Sequence, residues 1–142
     1  LWSQISKISS RSIEIPIGSH RFPYEDGVTL SELVTDSSVV VLPFRKHSIH
    51  PQLAIAESLA AGIPVITSNL CSAPELVEDG VTGFTVPVDD VLATTEAIEA
   101  LLLSPDNAAE MGLRAAVEMK KTWGWANYVD EINEVYQKAM ST

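Results

Sequence analysis

Val39-Val40-Val41-Leu42-Pro43-Phe44, then Pro51-Gln52-Leu53-Ala54-Ile55-Ala56-Glu57-Ser58-Leu59-Ala60-Ala61-Gly62, then Pro64-Val65-Ile66-Thr67-Ser68, read in succession as strand, helix and strand. The first run is β-branched and unbroken by polar residues, which predicts a strand covered on both faces of a parallel sheet. Pro51 suits the first helical position, where its missing N–H is no loss, and Gly62 suits the C-cap. Leu53, Ile55, Ala56, Leu59 and Ala60 leave almost no polar face, which predicts a helix buried nearly all round. Strand, helix and strand at this spacing make a parallel crossover unit, and such sheets take ligands beyond the carboxyl ends of their strands.

Working downstream, Ala73 to Asp79 reads as a short helix, Asp79-Gly80 as a turn and Thr82 to Val86 as a further strand. Asp89 or Asp90 can cap a helix reaching about Leu103, and Ser104-Pro105 opens another toward Lys120. Trp125, Tyr128, Val129, Ile132, Tyr136, Ala139 and Met140 recur at three- and four-residue spacing and mark an amphipathic last helix. Upstream, Ile13, Ile15 and Ile17 alternate through Ser12 to Gly18 as an edge strand containing Pro16, and Thr29 with Glu32 forms a capping box for a helix to Val34. The fold class expected is α/β, a Rossmann-like parallel sheet flanked by helices, as one domain over residues 1–142. Leu1 to Ile8 reads as the tail of a helix with no preceding strand, so the domain is expected to lack its first strands.

Across 142 residues, 46% are hydrophobic, enough for one packed core and too many for a disordered or collagen-like chain. The net charge of −10 repels phosphate backbones and anionic lipid surfaces, so neither a nucleic acid nor an electrostatically held membrane is an expected partner. A single cysteine, Cys71, permits no internal disulfide and suits a reducing cytoplasmic location; it is as readily a small packed residue as a reactive one. No apolar run approaches the roughly 18 to 20 residues of a membrane span.

Chemistry is expected where the first strand hands over to the helix. The backbone N–H groups of Gln52, Leu53 and Ala54 would project from the helix start, where the dipole favours an anion such as a diphosphate, and Arg45 and Lys46 add positive charge. A hydrated helix start beside ordinary loop cations fits the same spacing. Glu57 falls among apolar neighbours, and a buried carboxylate needs partners; two adjacent ribose hydroxyls or a structural salt bridge would each serve, and a partly exposed position is the other reading. His47 and His50 have no third ligand nearby, so no metal site is expected. Asp89-Asp90 suits a cap better than a metal, Glu75 and Glu78 suit a solvated face or cap, and Trp123 and Trp125 suit packing of the last helix.

Ile49-His50-Pro51-Gln52-Leu53-Ala54-Ile55-Ala56-Glu57-Ser58-Leu59-Ala60-Ala61-Gly62-Ile63-Pro64-Val65 resembles the E-x7-E segment of family-four retaining glycosyltransferases, with Glu57 at its second glutamate. Ala73-Pro74-Glu75-Leu76-Val77-Glu78-Asp79-Gly80-Val81-Thr82-Gly83-Phe84 is similar to the family's next helix and strand, and Trp125 and Tyr136 to its closing helix, so the resemblance runs from Ser12 to Met140. It implies the C-terminal, donor-binding half of a GT-B glycosyltransferase. Glu57 would bind the donor's ribose, and His50, Pro51, Gln52 and Leu53 would line the phosphates and sugar, with Arg45 helping to stabilise the leaving group. The nucleotide-sugar is then a substrate, with no cofactor and no metal. A carbohydrate or lipid-linked acceptor would bind an N-terminal domain outside this chain, so the fragment alone should not catalyse transfer. This sequence departs from the family in having Ile49 for the first glutamate, His50-Pro51-Gln52 for glycine-aromatic-glycine, and Cys71-Ser72 for two glycines. An aliphatic Ile49 cannot bond a sugar hydroxyl, which keeps a non-catalytic GT-B-like subunit or interaction module open beside the enzyme. A GT-B-like nucleotide-sugar epimerase or a sugar phosphorylase is a further alternative.

Overall fold

The computed structural model describes residues 34–46 and 52–141. Three parallel strands, β1 (Val40–Leu42), β2 (Val65–Ser68) and β3 (Gly83–Val86), form one sheet in the order β1-β2-β3. The register pairs Val41 with Ile66 and Ile66 with Phe84. Helix α1 (Leu53–Ala60) links β1 to β2, and α2 (Ala73–Leu76) links β2 to β3. Beyond β3 follow α3 (Val91–Leu102), α4 (Pro105–Thr122) and α5 (Trp125–Met140). The α/β class and its parallel, helix-flanked sheet are thus present. The expected strand at Ser12 to Gly18 and all but Val34 of the expected helix from Thr29 lie outside the described residues.

Every residue of β2 is buried, and its side chains alternate between two cores. Val65 joins Ile55, Leu59, Ala73, Leu76, Val77, Ala115 and Met119 on one face. Ile66 joins Val86, Ala97, Ile98, Leu101, Ala108 and Met111 on the other. Full burial of a Val, Ile or Leu side chain contributes about 1.5–3 kcal/mol, so these clusters supply most of the apolar driving force. Helix α4 belongs to both, with Ala108 and Met111 in one and Ala115 and Met119 in the other.

Four expectations are corrected. β1 is only half-buried, because among the described residues it pairs with β2 alone. Helix α1 buries one stripe, Ile55, Ser58 and Leu59, while Leu53 is 64% exposed. Its alanines read as apolar, yet a methyl group loses little by facing water. Helix α2 stops at Leu76, because Val77 turns extended and the Thr82 hydroxyl then accepts the Glu78 N–H at 2.9 Å, closing a turn in place of more helix. Helix α5 keeps its expected bounds but buries no residue, and Trp125 and Tyr136 are 78% and 62% exposed. Its tryptophan pairs with its own helix, the Trp125 and Tyr128 rings lying 5.4 Å apart.

The close packing of α1 on α4 rests on Gly112. A Cβ there would stand 2.0 Å from the Gly62 carbonyl oxygen. Gly62 itself adopts φ +80 just after the C-cap Ala61, the left-handed turn expected at the end of this helix.

Candidate functional site at the carboxyl edge of the sheet

The three strands point their carboxyl ends to one edge, and the segments leaving them carry Arg45, Cys71-Ser72 and Asp89-Asp90. Helix α1 starts at the same edge after the loop from β1. Its N-cap, Gln52, is extended (φ −80, ψ 95) and makes no side-chain cap. The Gln52 carbonyl accepts from Ile55 N–H at 3.0 Å and Ala56 N–H at 3.3 Å, while the N–H groups of Leu53 and Ala54 have no partner among the described residues. Among the described residues no side chain caps this helix start, where the helix dipole is positive.

Gln52 is buried, 5% exposed, and neither its Nε2 nor its Oε1 meets a hydrogen-bond partner. Ser72 is 0% exposed, and its Oγ is likewise unpartnered. Each such group costs about 1–3 kcal/mol when left alone. Cys71 just before it adopts φ 57, a left-handed conformation that glycine takes freely and that strains a residue bearing a Cβ. Cys71-Ser72, where the sequence departs from the resembling family, thus lies in a turn with a left-handed residue.

Glu57 is exposed, which overturns its expected burial and the desolvation argument built on it. It stands four residues after Leu53, on the same solvent-facing stripe. Helical side chains lean toward the N-terminus, so Glu57 leans toward the helix start and not away from it.

Arg45 is also corrected. Its Nη2 donates to Asp89 Oδ2 at 3.1 Å and its Nε forms an ion pair with Asp89 Oδ1. Since β1 and β3 flank β2, their ends stand roughly 10 Å apart, and this pair bridges them across the end of β2. The guanidinium does not lend unopposed charge to the site. Lys46 is exposed and makes no ion pair among the described residues. Asp89 adopts φ 62, whereas Asp90 is the true cap of α3, accepting the Ala93 N–H at 2.9 Å.

Of the residues expected at the site, Arg45, Gln52, Leu53 and Glu57 come to this edge. His50 and Pro51, together with His47 and Ile49, lie outside the described residues. Sequence reading missed the partnership of Asp89 with Arg45, although once Asp90 caps the helix the doublet leaves Asp89 unassigned. It also missed the buried Ser72 hydroxyl, for which a small residue after a strand gives no signal. Glu75, Glu78 and Trp123 line a separate cleft of about 300 Å³ between α2 and the end of α4, reaching Thr82 at the amino end of β3. Among the described residues no group of three His, Cys, Asp or Glu side chains is placed to hold a metal. None of their helices is long and apolar enough to cross a membrane.

A parallel α/β sheet with helices between its strands is a fold in which ligands are commonly taken beyond the carboxyl ends of the strands. Residues 14–104 match the family described as glycosyl transferases group 1, and the chain belongs to that family. It is similar to D-inositol 3-phosphate glycosyltransferase of Streptomyces scabiei, 33% identical over 111 residues that cover 78% of this chain and 24% of that protein. Alpha-maltose-1-phosphate synthase of Mycolicibacterium smegmatis is 30% identical over 117 residues, 77% of this chain and 29% of that protein. Among solved structures, Anabaena HepE in complex with UDP aligns with TM-score 0.70 and 20% identity over 75% of this chain and 29% of that one. Sucrose-phosphate synthase from Thermosynechococcus elongatus gives 0.69 and 24% over 78% of this chain and 27% of that one, and both likenesses speak to the fold. The chain spans between about a fifth and a third of the length of the curated relatives it matches.

Proposed function

We propose that this chain is the donor-binding part of a retaining glycosyltransferase, which moves a sugar from a nucleotide-sugar to an acceptor hydroxyl. One observation carries the reading: the start of α1, which no described side chain caps, lies at the carboxyl edge of a parallel sheet, with Glu57 on the exposed stripe one turn further along. Anabaena HepE, whose fold this chain shares, was solved with UDP and with UDP-glucose, a ligand chemistry that suits this arrangement.

In the proposed complex the Leu53 and Ala54 amides face the diphosphate, and Glu57 accepts hydrogen bonds from the ribose hydroxyls. His50 and Pro51 line the donor pocket, as the family resemblance implies. Arg45 turns from Asp89 to the diphosphate as charge builds on the leaving group. The bond from the anomeric carbon to the diphosphate oxygen breaks, the acceptor oxygen bonds the anomeric carbon, and the hydroxyl's proton passes to the departing diphosphate. Catalysis then rests on positioning and on stabilising the departing diphosphate. The nucleotide-sugar is the substrate, and neither a cofactor nor a metal is needed for these roles. A carbohydrate or lipid-linked acceptor is bound by a second domain of the whole protein, without which this part is inactive.

Titration calorimetry of the whole protein with UDP-, GDP- and ADP-sugars tests this. Glu57→Ala is expected to weaken the preferred donor by about 1–3 kcal/mol, the loss of a charged hydrogen-bond partner. Absence of binding to every donor would overturn the reading and favour a non-catalytic module. A donor sugar released as its epimer, with no acceptor glycosylated, would instead identify an epimerase.

A further inference from the structure

The cleft of about 300 Å³ between α2 and the end of α4 reaches Thr82, the residue before β3, and so lies at the opposite end of that strand from Arg45 and Asp89. The donor-site reading makes no use of it. Leu59, Leu76 and Met119 line it, each less than a tenth exposed, and give it an apolar floor. Glu75, Glu78 and Glu118 line it as well. Glu75 and Glu78 are exposed, and among the described residues neither carboxylate meets an ion-pair partner. Glu118 shares its charge with Lys121, whose Nζ stands 3.6 Å from Oε2. Trp123, expected to pack the last helix, lines this cleft instead and is 47% exposed.

Three carboxylates about one apolar floor repel each other, and the one lysine beside them offsets a single charge. Surplus negative charge next to an apolar floor and an indole suits a cation carried on an apolar stem. We propose that this cleft docks an arginine-bearing segment of a protein partner, with the aliphatic stem on the floor and the guanidinium among the carboxylates beside Trp123. Arginine fits better than lysine, because its planar fork bonds carboxylates pairwise, stacks on aromatic rings and gives up its water more readily. Pockets for free small molecules run from about 300 to 1,000 Å³, so a cleft at the foot of that range has room for a side chain or two and favours a protein segment. The net charge of −10 draws a basic partner in and repels a second copy of this chain. A second copy also has few cations to offer, since Arg45, Arg114, Lys121 and Lys138 already pair within the chain.

The test titrates the whole protein with a blocked peptide, acetyl-Leu-Arg-Ala-Leu-Arg-Leu-amide, and with its counterpart carrying citrulline for arginine, which keeps the shape and removes the charge. Calorimetry reads the affinity. The indole N–H of Trp123, assigned in proton–nitrogen spectra by its loss in Trp123→Phe, reads the place. The expected result is saturable binding that shifts the Trp123 signal and that weakens about fivefold or more with citrulline, or with Glu75→Gln and Glu78→Gln together, the loss of two partly exposed ion pairs. Both glutamates are exposed, so the double variant should melt with wild type and bind the preferred nucleotide-sugar equally well; Glu75→Gln alone stands in if the double variant folds poorly. Absence of saturable binding, equal affinity for the citrulline peptide, or binding that ignores the glutamine substitutions would each overturn the proposal. Arginine amide binding as tightly as the peptide would overturn it in favour of a small free cation. Self-association that the double variant abolishes, with no peptide bound, would assign the cleft to a second copy instead.

Discussion

Asp89 grips Arg45 through both carboxylate oxygens, yet the two side chains are 52% and 73% exposed. Exposed ion pairs contribute about 0–1 kcal/mol and weaken with salt, so this grip is loose enough for a diphosphate to displace. Asp89→Asn should therefore leave the melting temperature nearly unchanged while raising pyrophosphate affinity several-fold at low ionic strength, and the gain should shrink in 0.5 M salt. Calorimetry at two salt concentrations checks it; a gain that persists at high salt, or none at all, would show that Arg45 does not face the anion. At this scale the sequence was legible in identity more than in environment. Glu57 could be placed on its helix from the pattern alone, but its exposure could not, because the alanines around it count as apolar whether or not anything covers them. Asp90 was legible as a cap because capping is local chemistry. Arg45 with Asp89 was not, since the partners meet only after β1 and β3 have been placed either side of β2.

Helices α1 and α4 touch backbone to backbone where Gly112 faces the Gly62 carbonyl. In an open helix Gly112→Ala would gain about 1 kcal/mol of propensity. Here the added Cβ would lie 2.0 Å from a backbone oxygen, so the helices must part. The net effect expected is a loss of about 1–3 kcal/mol, read from the urea midpoint at unchanged slope. A glycine amid good helix formers hints at such a contact without naming the partner. The strands and long helices were legible because β2 carries a two-faced apolar run, Asp90 caps α3 and Pro105 opens α4. The end of α2 was not, because Thr82 competes for the backbone from beyond the helix.

For the molecule as a whole, α5 and the core behave as opposites. Val135 and Tyr136 are 64% and 62% exposed, whereas Leu59 is 0% exposed between α1, β2 and α4. Replacing either α5 residue by serine should shift stability by less than about 0.5 kcal/mol. Leu59→Ala should cost about 2–5 kcal/mol by opening a cavity, and denaturant titration separates the two cases. The spacing of α5 made its helix and its apolar stripe readable, but periodicity names a face and not what covers it.

Because α4 lends Ala108 and Met111 to one side of the sheet and Ala115 and Met119 to the other, it works as a common wall. Neither compartment can loosen without disturbing the other. The amides of β2 should therefore exchange with deuterium only when the whole domain unfolds, at one shared free energy, while those of α5 exchange far sooner. Two separate exchange classes within β2 would show that the compartments open independently. A wall shared in this way ties the strand ends to both compartments, so that the stabilisation from any ligand bound there would register through the entire sheet instead of in one loop.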